Sequence, residues 1–164
     1  MRHPERVRRL VLIGASGLFV PGAPVGDVFL HAQPERGVEL TTLRRLLFAA
    51  ADTAAALRFF PDGRGDLDEA MRRYQMLRFG SFVGFKPPYF YNRALAGRLH
   101  RAAMPALVLW GEHDRMVARA HGEAYVTGLP GARALTLIRD AGHAAPLEQP
   151  EATARAVIGF LGNS

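Results

Sequence analysis

Short apolar runs and stretches of helical periodicity alternate along the chain. Residues 7–13 (VRRLVLI) form a leucine-rich and β-branched run that ends at a glycine, which is typical of a buried strand in a parallel sheet. Residues 106–110 (ALVLW) and 132–138 (ARALTLI) are two further runs of this kind. Apolar residues with helical spacing lie between these two runs, over 118–127, and after the second run, over 148–161. This order predicts an α/β fold with a parallel sheet, right-handed crossovers and flanking helices.

The middle of the chain has a different character. Residues 18–34 are rich in Gly and Pro and predict a loop. Helical spacing over 39–60, a capping Asp66 and a third helical stretch over 93–102 predict an insertion with its own structure, because a loop of this length would be unusual. We therefore divide the chain into a core strand and turn, a helical cap or lid insertion, and a C-terminal β-α-β-α core, over residues 1–17, 18–103 and 104–164.

Composition and charge narrow the classes of partner. The net charge is +6, but Lys86 is the only lysine and the arginines are scattered along the chain, so we expect no nucleic-acid partner. No apolar run approaches the ~20 residues of a membrane span, so we expect no membrane partner. The chain has no cysteine, which excludes disulfides and thiol catalysis. A cytoplasmic location is the default expectation.

Two polar residues follow the last two strands. Asp114 comes just after the run over 106–110, and His143 comes shortly after the run over 132–138. Ligands bind at the carboxyl ends of parallel strands, so neighbouring strands would bring these side chains within hydrogen-bonding reach. A carboxylate that accepts the imidazole N–H fixes the tautomer and stabilises the imidazolium that forms when the ring takes a proton. This arrangement indicates an acid and a base.

Structural interpretations of the same residues stay open. Asp is favoured in turns and at helix N-termini without catalysis, and His143 alone is consistent with a surface loop. His113 sits in the turn of Asp114 and is interpreted as its neighbour. A metal site from His113, Asp114 and His143 lacks any recognised ligand spacing. We therefore expect no metal and no cofactor.

The strand-end motifs resemble those of the α/β-hydrolase superfamily. Residues 105–117 (PALVLWGEHDRMV) resemble the penultimate strand and acid turn of that family, and residues 140–154 (DAGHAAPLEQPEATA) resemble its histidine loop and final helix. Residues 3–7 (HPERV) and the strand after them resemble the strand that leads into the family's cap. The order of acid before base also matches.

The resemblance implies a partial α/β-hydrolase fold, the C-terminal portion with its cap, acid loop and histidine loop. It implies a serine-type hydrolase of esters or of activated carbon–carbon bonds, with Asp114 as the catalytic acid and His143 as the catalytic base. Relatives with an aspartate nucleophile remain an alternative, because the residue that distinguishes them is not in this chain.

The nucleophile that the resemblance implies is missing. The family carries it in a G-x-S-x-G turn between a strand and a helix, and this chain has no such motif. Ser16 is the nearest candidate, but Leu18 replaces the required glycine and the Pro-rich residues after it cannot begin a helix. Ser81 is no better placed. We expect little or no hydrolase activity from this chain alone, and a small-molecule substrate only when an N-terminal half completes it.

Aromatic residues in the predicted cap suggest a substrate pocket. We predict that Phe79, Phe82, Phe85 and Tyr89 bind an apolar substrate under the cap. The alternative is that these side chains, with Phe90 and Tyr91, form the cap's own small core.

A non-catalytic function is the second hypothesis. The resemblance implies that the strand beginning at Val7 and ending at Ile13 is an interior strand whose outer partner is not in this chain. An apolar strand with an open edge pairs readily with another chain. We therefore expect self-association through this edge, or a need for the missing half, and a truncated or interaction protein is the alternative to an enzyme.

Overall fold

The computed structural model describes residues 3–31, 40–62, 71, 75 and 91–162. Three parallel strands form one sheet in the order β1 (Leu10–Ile13), β2 (Ala106–Gly111), β3 (Ala132–Ile138). In the described part of the chain, β1 pairs with β2 and has no neighbour on its other side. The α/β fold class and the parallel sheet that the sequence predicts are confirmed.

Helices flank this sheet and also lie in the described part of the insertion. They are α1 (Val28–His31), α2 (Leu40–Leu47), α3 (Ala54–Phe59), α4 (Arg119–Gly128), α5 (Ala145–Glu148) and α6 (Pro150–Gly162), with 3-10 turns at Pro4–Arg6 and Ala96–Arg101. No helix of the described residues is long and apolar enough to cross a membrane.

Alternating side chains of the strands bury both faces of the sheet. On one face, Val108 and Trp110 belong to a large apolar cluster with residues of α4 and of the insertion: Leu43, Phe48, Phe60, Tyr125 and Leu129. On the other face, Leu109 and Ile138 form a smaller cluster that α6 covers with Ala152, Ala156 and Val157. This period of two is what a strand buried on both faces requires. The insertion and the sheet thus share one core.

The continuous helix predicted over 39–60 is wrong. α2 ends at Leu47, and α3 begins at Ala54 after Thr53, whose Oγ1 accepts a hydrogen bond from Ala56 N (3.1 Å). Phe48 lies in the break and is 2% exposed. The periodicity continues through the break because both helices bury the same kind of face. It does not reveal that the backbone turns at Phe48 towards the loops of the sheet.

Other predicted elements differ in detail. The predicted loop over 18–34 contains α1, where Leu30 N donates to Oδ1 of Asp27 (3.0 Å). The predicted helical stretch over 93–102 is a 3-10 turn at Ala96–Arg101. Most of the helix predicted after Asp66 lies outside the described residues.

The chain leaves the sheet layer and returns to it at one point. Gly17 and Tyr91 form a parallel bridge, and Asn92 N donates to the carbonyl of Gly17 (2.7 Å). The division into residues 1–17, 18–103 and 104–164 stays a prediction.

Candidate active site

Residues 112–118, which carry Asp114, follow β2 directly, and we call them the acid loop. Oδ1 of Asp114 accepts hydrogen bonds from the backbone N–H groups of Met116 (3.0 Å) and Val117 (2.8 Å). The Asp114 side chain is only 1% exposed. A carboxylate buried this deeply needs partners for both oxygens. Oδ2 is the oxygen that remains for a partner outside the turn.

That partner is the imidazole of His143, in the loop after β3. Nδ1 of His143 lies 2.9 Å from Oδ2 of Asp114, which is a hydrogen-bonding distance. Because a carboxylate only accepts, Nδ1 carries the proton and Nε2 is the basic nitrogen. The His143 side chain is 24% exposed, so a reactant can reach it. The structure brings together the two side chains singled out in the sequence, and their catalytic roles stay a prediction.

The end of β1 lies against this pair. A Cβ atom at Gly14 would be 3.1 Å from Nδ1 of His143 and 3.4 Å from Oδ2 of Asp114, so a side chain there would crowd both groups. Gly14 has φ +53°, a left-handed conformation that glycine adopts without strain. The carboxyl ends of all three strands therefore converge on the carboxylate–imidazole pair.

The acid and histidine loops are joined backbone to backbone. His113 N donates to the carbonyl of Ala141 (2.8 Å). A Cβ atom at Gly111 would lie 2.0 Å from the carbonyl oxygen of Gly142, so this approach requires glycine at position 111. Sequence reasoning misses Gly14, Gly111 and Gly142 as parts of the site. Their signal is a glycine directly after an apolar run or directly before the histidine.

None of the described residues brings a nucleophilic hydroxyl to the imidazole. In the described part of the chain, His143 forms no hydrogen bond with a hydroxyl group. The backbone carbonyl of Ser16 accepts a hydrogen bond from the Tyr125 hydroxyl (2.7 Å), which ties Ser16 to α4. Ser81 lies outside the described residues.

The predicted aromatic pocket lies outside the described residues, which do not include Phe79, Phe82, Phe85 or Tyr89. The aromatic residue that is described there, Tyr91, packs on Phe19 with ring centroids 5.0 Å apart.

A cavity of about 660 Å³ lies beside the acid loop on the side of the insertion. Arginine and aspartate side chains contribute most of its charge: Arg44, Arg45, Arg115, Asp52 and Asp62. Nη2 of Arg44 lies 2.6 Å from Oδ1 of Asp62, and the Arg44 side chain is 7% exposed. Three cations against two anions give the wall of this cavity a positive balance.

Three exposed side chains could offer ligand atoms to a metal. Glu112, His113 and Asp140 bring one such atom each within 4.8 Å of one another. This group differs from the set considered in the sequence, because Asp114 and His143 are hydrogen-bonded to each other.

The chain is similar to known hydrolases along nearly its whole length. The pattern of the alpha/beta hydrolase fold family matches residues 1–150. The chain is 28% identical to a 2-hydroxy-6-oxononadienedioate/2-hydroxy-6-oxononatrienedioate hydrolase of Cupriavidus pinatubonensis over 99% of its own length and 56% of the relative. A hydrolase of the same description from Paraburkholderia phymatum is 30% identical, with the same coverage of 99% and 56%.

A solved structure shows the same fold. The 2-hydroxy-6-oxo-6-phenylhexa-2,4-dienoate hydrolase of a Rhodococcus species superposes with a TM-score of 0.64 at 18% identity, over 98% of this chain and 57% of that protein. The chain thus spans little more than half the length of the curated relatives it matches, 56% in both cases above. With three strand ends converging on an aspartate and a histidine, and with the family pattern over residues 1–150, the chain belongs to the alpha/beta hydrolase fold family.

Proposed function

We propose that this chain supplies the acid, the base and the cap of a hydrolase whose nucleophile lies in polypeptide outside this sequence. The observation that carries the proposal is the 2.9 Å hydrogen bond between Nδ1 of His143 and Oδ2 of the buried Asp114. This bond leaves Nε2 as the proton acceptor. With a serine nucleophile, Nε2 takes the proton of the serine hydroxyl; with an aspartate nucleophile, it takes a proton only from the water that hydrolyses the covalent intermediate.

The chemistry follows from the two nitrogens of the imidazole. Nε2 takes the proton of the attacking hydroxyl as the new bond to the substrate carbonyl carbon forms, and returns it to the leaving group as the bond between that carbon and the leaving group breaks. Water then releases the acyl group from the nucleophile, and Nε2 carries a proton from this water to the nucleophile's oxygen. The positive charge that the ring gains is stabilised by the Asp114 carboxylate, which is 1% exposed and so is little screened by water. Gly14 leaves room for the ring at the end of β1.

The relatives favour cleavage of a carbon–carbon bond over cleavage of an ester. Two of them are hydrolases of 2-hydroxy-6-oxononadienedioate, a dicarboxylate. Arg44 in the wall of the cavity beside the acid loop is paired with Asp62, and the positive balance that remains comes from Arg45 and Arg115 against Asp52. This balance supports a substrate that carries a carboxylate. We therefore propose such a dicarboxylate as the substrate class.

A fusion protein tests the proposal. The part of the Cupriavidus pinatubonensis relative that this chain does not cover is joined ahead of Met1, and turnover of 2-hydroxy-6-oxononadienedioate is compared with turnover of a 4-nitrophenyl ester. We expect the fusion to cleave the dicarboxylate and its His143→Gln variant to lose almost all of that activity. A folded fusion that is inactive, or whose turnover survives His143→Gln, contradicts the assignment.

The chain alone should not react with a fluorophosphonate probe. The probe labels a serine only when a base activates its hydroxyl, and Ser16 has no hydrogen bond to His143 within the described residues. Mass spectrometry of the treated chain should find no adduct, and an adduct on Ser16 would assign the nucleophile to this chain instead.

A second proposal concerns the open edge of β1. Leu10 N and Gly14 N donate to the carbonyls of Pro105 and Leu109 in the direction of β2. N–H groups alternate sides along a strand, so those of Val11 and Ile13 face the open edge. This edge supports pairing with another strand, either from the missing half or from a second copy of the chain.

A further inference from the structure

The segment where α2 ends touches both loops of the carboxylate–imidazole pair. We call residues 45–49 the α2-end segment. On the side of the acid, Nη1 of Arg115 donates to the carbonyls of three of its residues, Arg45 (3.2 Å), Phe48 (3.3 Å) and Ala49 (2.9 Å). Because Arg115 directly follows Asp114, this contact fixes the segment relative to the acid.

The histidine loop holds the same segment from the other side. Ala144 N donates to the carbonyl of Leu47 (2.9 Å). Glu148 then bridges the two, because its Oε1 accepts from Ala49 N (2.7 Å) and its Oε2 accepts from Gly142 N (2.7 Å). Both distances are short, as expected for bonds to a charged acceptor.

The contact between this segment and the histidine loop leaves no free space. A Cβ atom at Gly142 would lie 2.5 Å from the carbonyl carbon of Phe48 and 2.7 Å from Ala49 N. Backbone therefore lies directly on backbone, one residue before His143. A movement of the segment must displace the loop that carries the imidazole.

We infer that Glu148 and Arg115 are positioning residues, which hold the Asp114–His143 hydrogen bond by clamping the two loops to the α2-end segment. The inference rests on the proposed function, since it gives a role to the geometry of that pair. It adds that the cap and the base are mechanically coupled, so the orientation of His143 depends on where α2 ends.

The chemistry of the clamp requires a carboxylate. Two N–H donors, from Ala49 and Gly142, face the side chain of Glu148. A carboxylate accepts from both, whereas the amide of glutamine has one accepting oxygen and would aim its NH2 group at the second donor. Glu148→Gln therefore keeps the size of the side chain and breaks one arm of the clamp.

NMR of the chain tests this inference without any need for activity. In the wild type, the Nδ1 proton of His143 should give a low-field resonance, identified by its loss in His143→Gln. We expect Glu148→Gln to remove or broaden this resonance and to accelerate hydrogen exchange at the Gly142 or Ala49 amide by about tenfold or more. Glu151→Gln is the matched control, because it makes the same change on the neighbouring helix at a side chain that is 89% exposed.

Arg115→Met repeats the test from the acid side and should weaken the same resonance. A resonance unchanged in both variants overturns the inference. Hydrogen exchange that becomes faster by the same factor at Gly142, Ala49 and the central strand residue Val108 also overturns the inference. A Glu148→Gln variant that does not fold overturns it too, because either result shows that Glu148 acts on the stability of the fold alone. Since none of these signals depends on turnover, an inactive fusion protein would contradict the proposed function and leave this inference standing.

Discussion

Asp114 uses both of its carboxylate oxygens, and each has a different task. Oδ1 accepts from Met116 N and Val117 N and so shapes the turn, while Oδ2 accepts from the imidazole. A side chain with one accepting oxygen can perform only one of these tasks. The residue that is hydrogen-bonded to the imidazole is therefore also the residue that shapes its own loop.

Asp114→Asn separates the two tasks. The amide oxygen can keep the two turn hydrogen bonds, but the NH2 group then faces Nδ1 of His143, so the ring proton should move to Nε2. We expect a fold close to that of the wild type and a loss of about 10⁴ in kcat of the fusion protein. Nitrogen NMR of the chain reads the tautomer, and a proton that stays on Nδ1 would contradict this prediction.

Tyr125 gives a prediction about alkaline pH. Its hydroxyl donates to the carbonyl of Ser16 (2.7 Å), and burial raises the pKa of the Tyr125 phenol above its usual value. The stability that depends on the neutral phenol is thus complete below about pH 10 and falls at higher pH, where the unfolded chain ionises first. Tyr125→Phe should cost about 1 kcal/mol at neutral pH. In urea unfolding, this difference should stay the same from about pH 8 to about pH 10 and shrink above about pH 10, and a difference that is constant up to about pH 11 would contradict the assignment.

The residues of the site differ in how well the sequence predicts them. Asp114 and His143 are predictable, because each follows an apolar run and their types suit an acid and a base. Glu148 is not, because its partners Ala49 and Gly142 are 99 and 6 residues away. A contact of this kind depends on how α2 packs on the loops, which no local pattern contains.

At the scale of elements, the end of β2 and the loop after β3 pack without side chains between them. Gly111, at the end of β2, lies against the carbonyl group of Gly142, and the space beside its Cα atom holds a hydrogen atom but no larger side chain. This backbone contact sets the spacing of the two loops and hence that of Asp114 and His143.

Gly111→Ala should therefore force the loops apart. Its Cβ atom would meet backbone at 2.0 Å, and we expect a loss of about 2–3 kcal/mol, in the range of overpacked cores, together with a weaker His143 Nδ1 resonance. Gly159→Ala is the control, because nothing lies within 4 Å of that Cβ position on α6. The control should gain about 0.5–1 kcal/mol from its better helix propensity. Urea unfolding measures both, and equal effects would contradict the packing argument.

The boundaries of the strands and helices show where sequence periodicity is sufficient to predict an element. In the last third of the chain, β2, β3, α4 and α6 are predicted to within two residues, since each presents a simple apolar pattern to one sheet. The short helix α5 before α6 is not predicted. The division of residues 39–60 into α2 and α3 is missed, because the polar contacts that hold the break come from Arg115 and Glu148. Tertiary hydrogen bonds end the helix there, and sequence periodicity does not report them.

At the scale of the whole molecule, the sheet of the described residues has two edge strands, β1 and β3, each paired only with β2. In the part of the chain that the structure describes, β1 has β2 as its single neighbour, and its apolar side chains are already used by the two core clusters. What the open edge offers to a partner is thus mainly backbone hydrogen bonding.

Val11→Pro tests whether a second copy uses this edge. Proline removes the N–H group that faces outward and leaves the bonds from Leu10 and Gly14 to β2 in place. We expect the wild type to sediment as a dimer or larger and Val11→Pro to shift towards the monomer. Val11→Ala trims the same side chain and keeps the N–H group, so it should still associate. A wild type that is monomeric at all concentrations would exclude pairing between copies.

A 2.7 Å hydrogen bond from Asn92 N to the carbonyl of Gly17 joins the point where the chain leaves the sheet layer to the point where it returns. Since the chain departs and comes back at the same place, residues gained or lost in between do not shift the register of the strands. Loops of this piece that do not touch residues 45–49 are therefore free to change in length while the Asp114–His143 pair stays in place. A change that moves residues 45–49 has the opposite effect, because these residues contact the loops of both side chains.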